Sequence, residues 1–434
     1  MMKYFIPKGT RDFSPIETYN RNFLIKTIKK CFKIFGFYPL ETTSIENIST
    51  LNKKYGEEIE YLIFRILNSG NSLNKLSKKA LRYDLTVPFI RYIIMNKDKI
   101  FFPFKRYQIQ PVWRSENPQK GRFREFYQSD ADIVSTSYSL WDEIELIKLC
   151  DFIFTELNLS ITIFINHIYI LKGLVEIVGI KNNLWKNFIT ILDKWKKIGE
   201  DEVKKEMLNK GITLKSFNSI RSLFSIEGDF KNKKKFFEKK FKFSDKGKIG
   251  LNEINFIYKS IKNISLYKTK LKWDISLARG INYYTGIIWE IIPKKDYNSI
   301  GGGGRYDKLM GLFGMKNIYG TGISFGLDRI YLAMEKEKLF KINPSKIIFI
   351  NFGYKEVLYS YKLLDTLRKK GISAQLYPSY SDINKQFKYA YDNNIPFVII
   401  IGEKEIKSNK IKVKDIKNKI EREYNNVNDL INYI

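Results

Sequence analysis

From Tyr19 to Phe35 apolar residues recur at helical spacing, at Phe23, Ile25, Ile28, Cys31, Phe32 and Phe35, and the run stops at Gly36. That spacing predicts an amphipathic helix closed by a glycine cap. Pro39–Ile45 then reads as a strand, as does Ala80–Pro88, which ends on a proline and sets Asp84 and Thr86 on one side. Phe104–Asp132 holds two alternating, strand-like segments joined by a basic turn that contains Lys120, Arg122 and Arg124. Arg114 and Glu116 close the first segment, while Arg124, Gln128 and Asp132 share a parity on the second. A face carrying a guanidinium, an amide and a carboxylate is a poor core face, because buried polar groups need partners. The natural partner is a ligand with phosphate at one end and ammonium or ring nitrogens at the other. A solvated hairpin face is the alternative.

The texture changes further on. About Ile168–Lys262 is a lysine-rich helical pattern with no chemical motif, and its densest basic stretch is Lys231–Lys248. After Pro344 strands and helices alternate: strand Lys346–Phe352, helix Lys355–Lys370, strand Ile372–Tyr377, helix Asp382–Asn393 and strand Pro396–Ile401. Apolar strands in that alternation read as a small α/β domain with parallel strands covered on both faces.

A chain of 434 residues, 44% of them hydrophobic, can build several cores, so two to four domains are expected. The net charge of +30 and pI near 9.6 fit a polyanionic partner such as RNA, although an AT-rich genome loads proteins with lysine in any case. The two cysteines, Cys31 and Cys150, form neither a metal-ligand spacing nor a disulfide framework, which points to a reducing, cytoplasmic setting. No apolar run reaches the roughly 18 residues a membrane span needs, and Met1–Gly9 is too poor in apolar residues for a signal peptide. The single histidine, His167, rules out multi-histidine metal sites and sits in an apolar stretch that fits a structural role.

Three more segments carry chemistry. Leu277–Gly286 reads Leu-Ala-Arg-Gly-Ile-Asn-Tyr-Tyr-Thr-Gly, and Ile300–Asp307 reads Ile-Gly-Gly-Gly-Gly-Arg-Tyr-Asp. Gly320–Ile330 reads Gly-Thr-Gly-Ile-Ser-Phe-Gly-Leu-Asp-Arg-Ile. None is a P-loop or a dinucleotide-binding turn; the four glycines allow close backbone approach to a ligand.

The Phe/Trp-Arg-x-Glu pattern at Arg114 and Glu116 resembles motif 2 of class II aminoacyl-tRNA synthetases, and Gly320–Ile330 resembles motif 3. Arg-Glu-Phe-Tyr-Gln-x-Asp-x-Asp, Arg-Gly-x-x-Tyr-Tyr and the glycine run narrow the resemblance to the histidyl-tRNA synthetases. It covers nearly the whole chain. It implies an α+β catalytic domain on an antiparallel sheet over 1–167 and 262–340, a helical insertion over 168–261, and an anticodon-binding α/β domain over 345–434. The helix and strand after Tyr19 would be motif 1, much of a homodimer interface, or else an ordinary core helix.

The resemblance also implies roles. Arg114, with Glu116 and Arg329, would bind ATP, with Arg114 on the α-phosphate, Arg279 opposite it, and Arg329 at the γ-phosphate. Asp84, Thr86 and Gln128 would hold the α-ammonium of L-histidine, and Asp132 and Tyr284, beside Tyr283, its imidazole. Gln119, Arg122 and Arg124 are candidate contacts to the acceptor end of tRNA(His). Mg²⁺ would bridge the β- and γ-phosphates, with no protein side chain assigned to it. Asn282 stands where the family usually has aspartate, which we read as a weakened outer contact. Two other readings are a silent paralogue that regulates ATP phosphoribosyltransferase, and a neighbouring synthetase such as prolyl. Intact Arg114, Arg279, Arg329 and residues 345–434 argue against the first; Arg-Gly-x-x-Tyr-Tyr argues against the second.

Overall fold

Pro15 and Glu17 open the first helix, Pro15–Ile34, whose Leu24, Ile28, Cys31 and Phe32 are buried. The structure is a computed structural model that describes residues 4–55, 61–67, 77–224, 226, 228–279, 283–296, 298–340 and 346–433. The chain divides into two compact units, Met1–Asp12 with Arg21–Phe340, and Phe13–Asn20 with Lys341–Ile434.

In the larger unit, among the described residues, eight strands form one sheet. Their spatial order is Tyr38–Pro39, Phe104–Trp113, Glu125–Ser135, Tyr319–Gly326, Gly301–Arg305, Ile287–Pro293, Ile161–His167 and Lys270–Trp273. The six inner strands run antiparallel, and each edge strand runs parallel to its neighbour. Helices Trp141–Glu156 and Leu327–Lys336 bury Leu146, Leu149, Ile153, Ile330 and Met334 in the core.

Two strand expectations need correction. Pro39–Ile45 is not one strand: Tyr38–Pro39 edges the large sheet, and Ile45–Asn47 pairs with Lys79–Leu81 in a separate small sheet. Between them the backbone is taken by side chains. Arg82 Nη1 donates to the carbonyls of Thr42 (2.8 Å) and Thr43 (3.2 Å), and Thr42 N–H donates to Gln110 Oε1 at 3.1 Å. Nor does Ala80–Pro88 continue as a strand. The strand ends at Leu81 and helix Thr86–Met95 begins, with Pro88 in its first turn, where a missing N–H costs nothing. Asp84 Oδ1 accepts from Val87 N–H at 3.1 Å and so satisfies one free donor of that turn.

Residues 168–264 form helices Ile168–Ile177, Trp185–Asn209 (broken at Gly199), Leu214–Phe224, Phe230–Lys240 and Asp245–Ile264. The first and last cross so closely that a Cβ on Gly173 would lie 2.7 Å from Gly247 Cα. His167 sits at the head of this segment. Its Nδ1 accepts from Tyr169 N–H (2.9 Å), so Nε2 carries the proton and donates to Glu253 Oε2 at 2.8 Å. The lone histidine is a helix cap.

The smaller unit has a five-stranded sheet, among the described residues, in the order Ala374–Leu376, Ile347–Phe349, Phe397–Ile400, Ile411–Asp415, Ile420–Tyr424. The first three strands are parallel, with helices Tyr354–Lys369 and Ile383–Asp392 between them in sequence. The antiparallel hairpin and helices Glu403–Ser408 and Val427–Tyr433 lie beyond the alternation that the sequence pattern reached.

Candidate active site

The site is built on a floor of glycines. Asp132 pairs in register with Gly322, Gly322 with Gly304, and Ser324 with Gly302. A Cβ on Gly322 would lie 2.0 Å from Asp132 Oδ1, and one on Gly302 would lie 2.0 Å from Arg279 Nη1. The run at 301–304 is a central strand. It is stripped of side chains so that a carboxylate and a guanidinium can lie flat on the sheet.

At one end of this floor the cations gather. Arg114 follows strand Phe104–Trp113 directly; its Nε donates to the Tyr83 carbonyl (3.2 Å) and its guanidinium stacks 4.2 Å from the Tyr83 ring centre. Glu116 Oε1 accepts from Tyr83 Oη–H at 3.0 Å. Arg329, in the first turn of helix Leu327–Lys336, donates to the carbonyls of Gly121 (3.1 Å) and Ser299 (2.7 Å). Burial lowers the Arg329 pKa, and the nearby positive charges of Arg122, Arg114 and Arg279 lower it further, opposed by Glu116. Four guanidiniums thus face one region, with Glu116 among them and Glu290 beside Arg279. Among the described residues the hydrogen bonds of Arg279 are long, 3.5 Å to the Trp289 carbonyl and 3.5 Å to Glu290 Oε1.

Gln119 and Arg122 form the tip of the basic turn, exchanging backbone hydrogen bonds of 3.0 and 2.8 Å. Arg124 does not share the ligand face with Gln128 and Asp132: its Nε and Nη1 donate to the carbonyls of Glu116 and Lys8, both at 3.3 Å. The segment Lys8–Gly9 packs against its stem and turns it aside. Asp328, beside Arg329, anchors the helix through Arg11 (2.9 Å) and Arg21 (2.5 Å).

At the other end the polar groups are buried. Asp132 accepts from Tyr306 Oη–H at 2.6 Å and pairs with Arg106 Nη2 at 2.8 Å. Tyr283 and Tyr284 lie with ring centres 4.3 Å apart. Burial pushes the Tyr284 hydroxyl pKa well up, with Tyr283 and Asp132 adding to the rise and Arg279 opposing it. Tyr284 therefore stands between the acidic and cationic ends. Gln128 Nε2 donates to Ser324 Oγ at 2.9 Å. Asp84 is buried and within electrostatic reach of Asp130, and Thr86 opens the adjoining helix half-buried. Asn282 lies outside the described residues.

Four participants escaped the sequence reading: Arg106, Tyr306, Asp130 and Ser324. A signal for Arg106 was present, since Arg106, Gln108 and Gln110 alternate on strand Phe104–Trp113 just as Gln128, Asp130 and Asp132 do on its neighbour. Arg305, between Gly304 and Tyr306, is held by Glu143 through bonds of 2.6 and 2.7 Å, which fixes the strand end that carries Tyr306.

A family model described as histidyl-tRNA synthetase matches residues 9–330, and one described as an anticodon binding domain matches 346–434. A histidine–tRNA ligase of Christiangramia forsetii is 48% identical over 435 residues, 95% of each chain. One of Flavobacterium johnsoniae is 48% identical over 452 residues, again 95% of each. The crystal structure of histidyl-tRNA synthetase from Nostoc sp. superposes over 100% of both chains with a TM-score of 0.87 at 27% identity. A Bacillus halodurans chain described as an ATP phosphoribosyltransferase regulatory subunit/histidyl-tRNA synthetase shares the fold, with a TM-score of 0.74 at 19% identity over 92% of this chain. With a floor of glycine, cations at one end, buried acids at the other and these relatives along its whole length, the chain belongs to the histidyl-tRNA synthetase family.

Proposed function

We propose that this chain activates L-histidine with ATP and passes it to the 3′-terminal ribose of tRNA(His). The observation that carries this reading is the polarity of the site, with four guanidiniums at one end of the glycine floor and the Asp132–Tyr306–Arg106 group with Tyr284 at the other. The histidine carboxylate attacks the α-phosphorus, its oxygen forms the new P–O bond, and pyrophosphate leaves with the bonding pair. Charge grows on the α-phosphoryl oxygens, and Arg114 and Arg279 are preplaced to meet it. Arg279 is suited to engage substrate, because its hydrogen bonds among the described residues are long. Arg329 faces the departing pyrophosphate, with Glu116 beside it. Among the described residues no three metal-ligating side chains converge, so Mg²⁺ would enter as the ATP chelate, held mainly by phosphate.

Asp132 accepts from one imidazole nitrogen, with Tyr284 at the ring. Asp84, Thr86 and Gln128 hold the α-ammonium. In the second step a ribose hydroxyl attacks the acyl carbon of the adenylate and AMP leaves. No enzymic imidazole takes part, and His167 is committed as a cap. Gln119 and Arg122, at the tip of the turn, are offered to the acceptor end of tRNA, and residues 346–434 to its anticodon. Arg124 contributes by bracing the turn. The +30 charge favours both contacts.

A homodimer is supported by exposed Phe23, Ile34, Tyr38 and Ile45 in the helix and strand segment that resembles motif 1, apolar surface that a second copy would cover. A cytoplasmic setting is supported by two free, buried thiols and by described helices none of which is long and apolar enough to cross a membrane.

ATP–pyrophosphate exchange across a panel of amino acids tests the reading. Histidine is expected to drive exchange and its competitors to fail by about 10⁴-fold, because a site built to bond ring nitrogens leaves its own polar groups unpaired with anything else. Equal exchange with proline, threonine or glycine would overturn it.

A further inference from the structure

Three polar side chains meet across two strands beside the proposed ammonium site, and their hydrogen-bond directions are fixed by chemistry. Asp130 and Ser324 are direct cross-strand partners, and the serine hydroxyl lies close enough to the Asp130 carboxylate to lower its pKa. An ionised carboxylate only accepts, so the single hydroxyl hydrogen of Ser324 must point to Asp130. Ser324 Oγ then has only lone pairs to offer Gln128, one residue pair along the ladder, and it accepts from Gln128 Nε2 at 2.9 Å. The amide is thereby locked with Oε1 on the opposite side. Gln128 Oε1 is buried and has no hydrogen-bond partner among the described residues. A buried amide oxygen without a donor is costly, unless a donor arrives with substrate.

We propose that Asp130 and Ser324 are positioning residues that orient the Gln128 amide so that its oxygen, and not its NH₂, faces the α-ammonium of histidine. This rests on the reading of Gln128 as an ammonium ligand. The relay has a direction. A protonated Asp130 would donate to Ser324 Oγ, the serine hydrogen would turn to Gln128, and the amide would flip to present NH₂ to a cation. Burial raises the Asp130 pKa to about 7, Arg106 lowers it, Asp132 on its own strand raises it, the Ser324 hydroxyl lowers it and Asp84 raises it. The relay is accordingly set for binding above neutrality and reverses below it.

The test compares two ligands, histidinol, which keeps the α-ammonium, and imidazolepropionate, which lacks it. Ser324→Ala is expected to raise the histidine KM and the histidinol Ki about 10-fold, the scale of a hydrogen bond to a charged group. The imidazolepropionate Ki and the KM for ATP should stay within about twofold, and Ser324→Thr, which keeps the hydroxyl, should restore binding. In a Gln128→Ala background Ser324→Ala should add nothing, since both act through one amide. The histidinol-to-imidazolepropionate Ki ratio cancels titration of the ligand ring. It should rise as pH falls through about 7 in the wild type and stay flat in Asp130→Asn. Equal weakening of both ligands by Ser324→Ala, or full additivity with Gln128→Ala, would overturn the relay. A Gln128→Ala enzyme with normal histidine KM would overturn the ammonium reading as well. Impaired Gln128→Ala with normal Ser324→Ala would overturn the relay alone.

Discussion

Gly322→Ala should separate the two ends of the site. The new methyl would sit 2.0 Å from Asp132 Oδ1 and 2.7 Å from Asp132 Cγ, where ordinary contact begins at 3.4 Å. The carboxylate oxygen must therefore retreat by 3.4 − 2.0 = 1.4 Å. Asp132 cannot do so and keep both the 2.6 Å bond from Tyr306 and the 2.8 Å pair with Arg106. The other near atom belongs to the Tyr306 ring at 3.2 Å, so the strain falls on side chains and leaves the backbone in place. A misplacement of about 1 Å can cost roughly 10²-fold in a site of this kind. In pyrophosphate exchange the histidine KM should rise by about that factor, while the KM for ATP stays within about threefold, since the guanidiniums lie at the far end. Gly311→Ala is the control: its Cβ meets nothing within 4 Å, in a helix where alanine is favoured. A folded Gly322→Ala enzyme with unchanged histidine KM would refute the role of Asp132.

Other outcomes follow from the same geometry. Arg279→Ala should slow single-turnover adenylation by about 10² to 10³-fold with little change in histidine affinity; near-normal adenylation would remove Arg279 from the chemistry. Folding raises the Asp130 pKa from an ordinary 3.8 to about 7, so its contribution to stability is full below the lower value and is lost as pH rises through the upper one. Urea midpoints measured from about pH 4 to about pH 8 should fall less steeply in Asp130→Asn than in the wild type; parallel curves would show that the site does not strain this carboxyl.

The sequence pattern carried what is local. The alternation around the basic turn located two neighbouring inner strands, and the apolar strands after Pro344 located the parallel core of the smaller unit. Leu-Thr-Val-Pro after Asp84 looked like a strand because its residues are β-branched or apolar; a side-chain bond from Asp84 and burial of Val87, Phe89 and Ile90 make it a helix. Arg124 followed the right parity, but a main-chain contact from Lys8 turned it away. Asp132 and Tyr306 are 174 positions apart, and no periodicity reaches across that distance. The hairpin at Ile411–Asp415 did carry a readable signal, since Ile411, Val413 and Asp415 alternate inward, yet it lay past the last strand of the α/β pattern.

The most direct measurement is a crystal structure of the enzyme with a non-reactive histidyl-adenylate analogue. The phosphate mimic should lie between Arg114 and Arg279, the imidazole on Asp132 with Tyr284 at the ring, and the α-ammonium on Gln128 Oε1 and Asp84. An analogue bound with its imidazole away from Asp132, or with neither arginine at its phosphate mimic, would contradict the assignment of the two ends of the site.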